Sequence, residues 1–147
     1  MDKCRIALGA DHAGYEYKAR FIEYLSGLGY ECVNVGTDTA DSVDYPIYAD
    51  KVCKLVSSGE CALGVLICGT GIGMSMAANK HRGIRAALCG DVKSAELTRQ
   101  HNDANVLCLG ARIIPYETAK EILDKFLDTD FIGMHHVRRV KMLNDLI

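Results

Sequence analysis

The chain has 147 residues, 17 Lys and Arg against 19 Asp and Glu, a net charge of −2 and 49% hydrophobic residues. That length suits one domain covering 1–147 and able to bury most of its apolar surface. The balanced charge offers no basic face to a nucleic acid, and no apolar run approaches the ~20 residues that cross a bilayer, so neither kind of partner is expected.

Met1-Asp2-Lys3-Cys4-Arg5 lacks the apolar core of a signal peptide and passes straight into the strand-like run Arg5-Ile6-Ala7-Leu8-Gly9. Phe21, Ile22, Leu25 and Leu28 then recur at helical spacing, and Gly29 suits a helix stop. Cys32-Val33-Asn34-Val35 reads as a second strand. Pro46 suits the first turn of a helix that carries Val52, Leu55 and Val56. Leu63 to Ile67 forms a third strand and runs through Cys68 into the loop Gly69-Thr70-Gly71-Ile72-Gly73 and a short helix from Met74 to Lys80. Ile84 to Cys89 predicts a fourth strand, Val92, Ala95 and Leu97 a fourth helix, and Asn105 to Leu109 a fifth strand. Ala119, Ile122, Leu123, Phe126 and Leu127 mark a fifth helix. The end of the chain, His136 to Ile147, carries Val137, Val140, Leu143 and Leu146 as an apolar stripe, either a cap on this domain or an arm onto a neighbour. Five strands separated by helices predict an α/β fold with a mainly parallel sheet covered on both faces.

The seven cysteines (4, 32, 53, 61, 68, 89 and 108) are odd in number, scattered, and without a CxxC pair. Neither a zinc site nor a disulfide framework is indicated, and reduced thiols in a cytoplasmic protein are expected. Six of them read as small packing hydrophobes. Cys68 differs by its place, where a buried strand gives way to a glycine loop and a helix N-terminus. Such a junction aims several backbone N–H groups at one point, suited to a phosphate or to the oxyanion of a reacting sugar, and a thiol beside it is favoured as thiolate. The loop matches neither GxGxxG, since position 74 is Met, nor the phosphate-loop pattern, which needs Gly-Lys-Ser/Thr.

In parallel sheets ligands gather beyond the carboxyl ends of the strands. The first strand ends in Gly9-Ala10-Asp11-His12-Ala13-Gly14, the third in Cys68 and its loop, and the fifth in Gly110-Ala111-Arg112. The fourth leads through Asp91 and its helix to Arg99-Gln100-His101-Asn102-Asp103. The expectation is a carboxylate, imidazoles, a thiol, hydroxyls and an arginine at one edge, the inventory of an enzyme. Each has a plainer reading: Cys68 as core, Asp11 as a turn residue, His101 and Asn102 as a helix stop, and Arg138, Arg139 and Lys141 as a solvated helix face. His81 lies in a polar turn and reads as solvated.

Taken together, Gly9 to Gly14, Asp44-Tyr45-Pro46, Cys68 to Lys80, Gly83-Ile84-Arg85-Ala86 and Arg99 to Asn105 closely resemble the ribose/galactose isomerase family. That family includes ribose-5-phosphate isomerase B and the galactose-6-phosphate and allose-6-phosphate isomerases. The resemblance runs from the first strand to the final helix. It implies a three-layer α/β/α Rossmann-like domain whose C-terminal helix packs on a partner subunit. It also implies a homodimer, sometimes paired into a tetramer, with active sites built from both chains.

The implied reaction interconverts ribose 5-phosphate and ribulose 5-phosphate without metal or cofactor. Ring opening is assigned by resemblance to His101 with Asp11 nearby, removal of the C2 proton to Cys68, and hydroxyl protons to Thr70. The loop from Gly69 through Gly71, Ile72, Gly73 and Met74 to Ser75 would hold the cis-enediolate. Tyr45 and Asn102 would contact the sugar, and His12, Arg112 and Arg139 the phosphate. The family commonly has a further arginine four positions before Arg139, where this chain has His135. Arg138 adjoins Arg139 but points ~100° away from it on a helix. His136 matches a histidine often seen in the family, without an assigned role. Two alternatives remain at this level: an allose-6-phosphate or galactose-6-phosphate isomerase, and a non-catalytic phosphosugar-binding protein.

Overall fold

A computed structural model describes residues 3–147, so Met1 and Asp2, which open the sequence reading, lie outside the described residues. The described residues form five strands and six helices in strict alternation until the last pair of helices. In chain order they are β1 (Arg5–Ala10), α1 (Tyr15–Gly27), β2 (Glu31–Asn34), α2 (Tyr45–Ser57), β3 (Leu63–Cys68), α3 (Ile72–Ala78) and β4 (Ala86–Leu88). They continue with α4 (Val92–Asn102), β5 (Val106–Gly110), α5 (Tyr116–Asp128) and α6 (His136–Asn144). All strand pairings are parallel, in the order β2-β1-β3-β5-β4.

Both faces of the sheet are covered, which makes three layers. Strand residues alternate between the faces, as the pleat requires. Ile6, Leu8, Val65, Ile67, Leu107 and Leu109 pack with Phe21 and Leu25 of α1 and Ile122 and Phe126 of α5. Ala7, Leu66, Cys68, Val106 and Cys108 pack instead with Val52 and Cys53 of α2 and Met74 and Ala78 of α3. The central strands β3 and β5 are buried along their whole length, so they read as continuous apolar runs and not as alternation.

β1 and β3 are neighbours, while their outgoing helices α1 and α3 lie on opposite faces. A crevice therefore opens between the carboxyl ends of these two strands. Its walls are held by a buried charge. Lys18 of α1 is fully buried, with Nζ donating to Asn34 Oδ1 at 2.8 Å and to Asp38 Oδ1 at 2.7 Å. The loop that follows β2 is thereby tied down. Its Gly36 N–H donates to the Asn34 side chain, and its Thr37 N–H to the Ala10 carbonyl.

Two expectations change. The fourth strand is only Ala86–Leu88, not Ile84–Cys89. Ile84 closes a turn onto the His81 carbonyl, and the Arg85 N–H is taken by the Asn105 side chain, so pairing with β5 starts at Ala86. Ile84 is apolar because it is buried in that turn. His81 is not solvated: its Nε2 meets Asp50 Oδ1 at 2.8 Å, and its Nδ1 lies 3.0 Å from the Ala77 carbonyl at the end of α3. In the C-terminal stripe only Val140 is buried, while Val137 is 55% and Leu146 78% exposed. α6 touches its own chain through α4 and through Arg85 Nη1, which donates to Asn144 Oδ1 at 3.0 Å. It does not bury its apolar face there.

Candidate functional site

The crevice between β1 and β3 widens into a cleft of about 440 Å³ lined by Asp11, Tyr45, Cys68, Gly69, Thr70, Ile72, Gly73 and Met76. Asp11 follows β1 directly, and its N–H donates to the Ile67 carbonyl at 3.2 Å, extending the sheet by one bond. Its carboxylate Oδ1 accepts from the Ala13 and Gly14 N–H groups at 2.9 and 3.2 Å. That turn is possible because residue 14 has no side chain: a methyl group there would stand 2.5 Å from the Ile67 oxygen. Asp11 is thus a turn residue that also lines the cleft.

Cys68 closes β3 and is 5% exposed. The Gly71 N–H donates to its Sγ at 3.1 Å, an interaction that favours negative charge on sulfur as it develops. Gly71 can turn inward because its φ is +78°, and a methyl group there would lie 2.8 Å from the Leu109 carbonyl carbon. The other six thiols are all pushed up by burial, Cys53 to about 12 and Cys89 to about 11. Desolvation makes them poor acids. Cys53 instead donates to the Ala78 carbonyl.

The loop is ordered from within. Thr70 Oγ1 accepts from the Ile72 N–H at 3.2 Å, and Ser75 Oγ donates to the Ile72 carbonyl at 2.8 Å. At the start of α3 the Gly73 and Met74 N–H groups have no acceptor inside the helix. Tyr45, the first residue of α2, lies against Gly73 so closely that a methyl group there would meet its Cζ at 2.6 Å. Arg112 follows β5, donates its N–H to the Gly69 carbonyl at 2.9 Å, and lays its side chain over Gly69. His12 Nδ1 accepts from the Val43 N–H at 3.2 Å, which makes Nε2 the donor nitrogen of the neutral ring. Asp11, His12, Tyr45, Cys68, Arg112 and the loop from Gly69 to Ser75 thus share one end of the sheet.

The remaining residues do not join them. The expectation that all these groups reach one edge is corrected by the topology. α4 runs back against the strands, so His101 and Asn102 lie just before the amino end of β5, whereas Cys68 pairs with Gly110 at its carboxyl end. Gly64 pairs with Val106 at the amino end, four residues before Cys68, a separation of roughly 13 Å along the strand. His101 belongs to a second cluster. Its ring stacks on His136 at 4.3 Å between centroids, and His136 lies 4.1 Å from His135. Arg139 is one turn further along α6. The Asn102 side chain accepts from Thr98 Oγ1 at 3.1 Å and borders a larger groove of about 660 Å³ with Leu143 and Leu146. Sequence reasoning missed this division because residue order along α4 does not reveal which sheet edge its last turn faces. It also left His136 without a partner, which proves to be His101.

Among the described residues no group of three or more His, Cys, Asp or Glu side chains gathers as metal ligands, and no helix is long and apolar enough to cross a membrane.

Residues 6–143 match the family model described as Ribose/Galactose Isomerase. Ribose-5-phosphate isomerase B of Escherichia coli is 45% identical over 139 residues, covering 95% of this chain and 93% of the relative. The solved structure of ribose-5-phosphate isomerase B from Clostridium thermocellum superposes with a TM-score of 0.95 at 44% identity, covering 97% of this chain and 96% of the other. That of a ribose 5-phosphate isomerase from Thermotoga maritima gives 0.94 at 48%, covering 97% and 98%. With a backbone-walled thiol cleft at the carboxyl edge and this match over nearly its whole length, the chain belongs to the ribose/galactose isomerase family.

Proposed function

We propose that the chain is an aldose–ketose isomerase interconverting ribose 5-phosphate and ribulose 5-phosphate, in sites shared between two copies. The observation that carries the reading is the placement of Cys68, a strand-end thiol that receives a backbone N–H at the mouth of a cleft walled by glycines. The family match and the relatives named above support the substrate.

The chemistry follows from the residue types. The sugar is mostly a closed ring, so a first step moves the anomeric hydroxyl proton off and delivers a proton to the ring oxygen as the C1–O bond breaks. His101 of the partner subunit performs this step beside Asp11, whose carboxylate is held by two N–H groups. Cys68 then takes the C2 proton as thiolate. The electron pair moves into the C1–C2 bond, forming a cis-enediolate held by loop N–H groups between Gly69 and Ser75. Thr70 passes protons between the C1 and C2 hydroxyl oxygens, and Cys68 returns its proton to C1. Tyr45 and the partner's Asn102 border the sugar, while His12 and Arg112 meet the phosphate together with the partner's His135 and the partner's Arg139.

The shared site rests on two features: the imidazole and the thiol occupy opposite edges of one sheet, and α6 leaves its apolar stripe exposed. A two-fold pairing that covers this stripe would carry His101 and Arg139 to the neighbouring cleft. The seven free thiols, six of them high in pKa, suit a reducing cytoplasm.

The test mixes chains. A coupled assay for ribulose 5-phosphate formation should find activity in the native protein, with slower turnover of allose 6-phosphate. Cys68→Ala chains, nearly inactive alone, and Arg139→Ala chains, slow at ribose 5-phosphate below their raised KM, should regain part of the activity as a verified heterodimer assayed at that low substrate concentration, because one site recovers both native residues. No recovery would confine both residues to one chain.

A further inference from the structure

We propose that His136 is a positioning residue for His101, its ring setting the plane in which His101 meets the sugar; this rests on the isomerase reading above. The two imidazoles are nearly parallel, 13° apart with centroids at 4.3 Å. The hydrogen bonds among the described residues leave both ring nitrogens of His101 free. Free nitrogens are what a proton carrier needs, but they leave the ring without a bond to fix its tilt. The stacked face of His136 supplies that restraint, because offset aromatic contacts resist tilting while leaving the ring edge open.

The surrounding backbone is built to hold the contact. The Ile132 N–H donates to the Gln100 carbonyl at 3.2 Å, and Arg99 Nε to the Thr129 carbonyl at 3.2 Å, so the segment before α6 is strapped twice to the last turn of α4 at the two residues that precede His101. Gly133 and Met134 both take left-handed φ values, +71° and +59°. Such a conformation is unfavourable for methionine and persists where surrounding contacts require it. It turns the chain so that the His136 N–H closes onto the Gly133 carbonyl at 3.1 Å and the ring falls on His101.

The charge on His136 fits the same role. Its own desolvation, followed by His135, His101 and Arg139, lowers its pKa below the ordinary histidine value. An uncharged ring can lie against His101 in either protonation state, whereas an imidazolium would repel the proton that His101 must carry.

The experiment uses His136→Ala and His136→Phe in the full chain. Turnover is read at saturating ribose 5-phosphate, which is mostly cyclic, and at saturating ribulose 5-phosphate, which cannot form that ring. His136→Ala should lose about 10-fold or more with ribose 5-phosphate and far less with ribulose 5-phosphate. His136→Phe, which keeps an uncharged aromatic face, should recover most of the loss. Equal losses in both directions, no rescue by Phe, or a rise in KM alone would overturn the proposal, the last by making His136 a phosphate contact. Proton NMR of the His101 ring supplies a readout independent of turnover. Its ring-current shift should vanish in His136→Ala and persist in His136→Phe, and an unchanged shift in His136→Ala would overturn the stack. If the native protein turned over neither sugar, the isomerase reading would fall while the NMR comparison still judged the contact.

Discussion

The two ends of the sheet are built by different means. At the carboxyl edge the cleft is made of backbone against backbone: Gly14 against the Ile67 carbonyl, Gly110 against the Thr70 carbonyl, and Gly71 against Leu109. At the amino edge the cluster is made of side chains, three imidazoles in a row beside an apolar stripe that its own chain does not cover. The first arrangement has almost no freedom to drift, since any added Cβ at these glycines meets main-chain atoms under 3.0 Å away. The second can be reshaped by single substitutions and by whatever lies against α6. The glycine cradle is thus fixed by the fold, while the imidazoles and Arg139 are hung on helix ends.

The sharpest way to break that contrast is Cys68→Ala. A positioned base contributes ~10²–10⁴ in rate, so turnover should fall by at least that factor while circular dichroism and thermal midpoint stay near native. Turnover within a few-fold of native would remove the thiol from the chemistry. Arg139→Ala probes the other end. Loss of a charge-assisted phosphate contact should cost about 1.5–3 kcal/mol, read as a higher KM with kcat little changed and the assembly state unaltered by sedimentation. A fall in kcat alone would shift Arg139 away from phosphate binding.

The smallest expected effect is a pH dependence of stability. His136 binds its proton more weakly folded than unfolded, through desolvation first and then the charges of His135, His101 and Arg139. Its contribution is therefore complete above the unfolded value near 6.5 and is lost as pH falls from there toward the lower folded value. The thermal midpoint should drop through that window, and His136→Phe should flatten the drop. A drop of the same size in that variant would assign it to other groups.

Much of the cleft was legible because it is local. Cys68, Thr70 and the glycines lie within one strand–loop–helix passage, and Asp11 and His12 sit where the first strand had to end. Periodicity finds α1, α2 and α5 for the same reason, since each buries a stripe set by its own sequence. What failed was non-local. Ile84 reads as strand because burial in a turn and burial in a sheet look alike in composition. His81 reads as solvated because its partner Asp50 is 31 residues away on α2. The edge that His101 faces is set by strand order and helix direction, which spacing does not carry.

Lys18 gives the cleft a dependency invisible from its lining. The buried ammonium ties Asn34 and Asp38 together, and the segment they anchor is the one that later delivers the Val43 N–H to His12. Methionine could fill the space of Lys18, but it would withdraw a donor from both oxygens and leave the segment to its backbone bonds with β1 and to the Asn34 Nδ2 donation to Asp38 Oδ1. The orientation of the His12 imidazole is thus supported by a cation sealed in the interior. A substitution at Lys18, absent from the lining of the cleft, would surface there as a change in the orientation of His12.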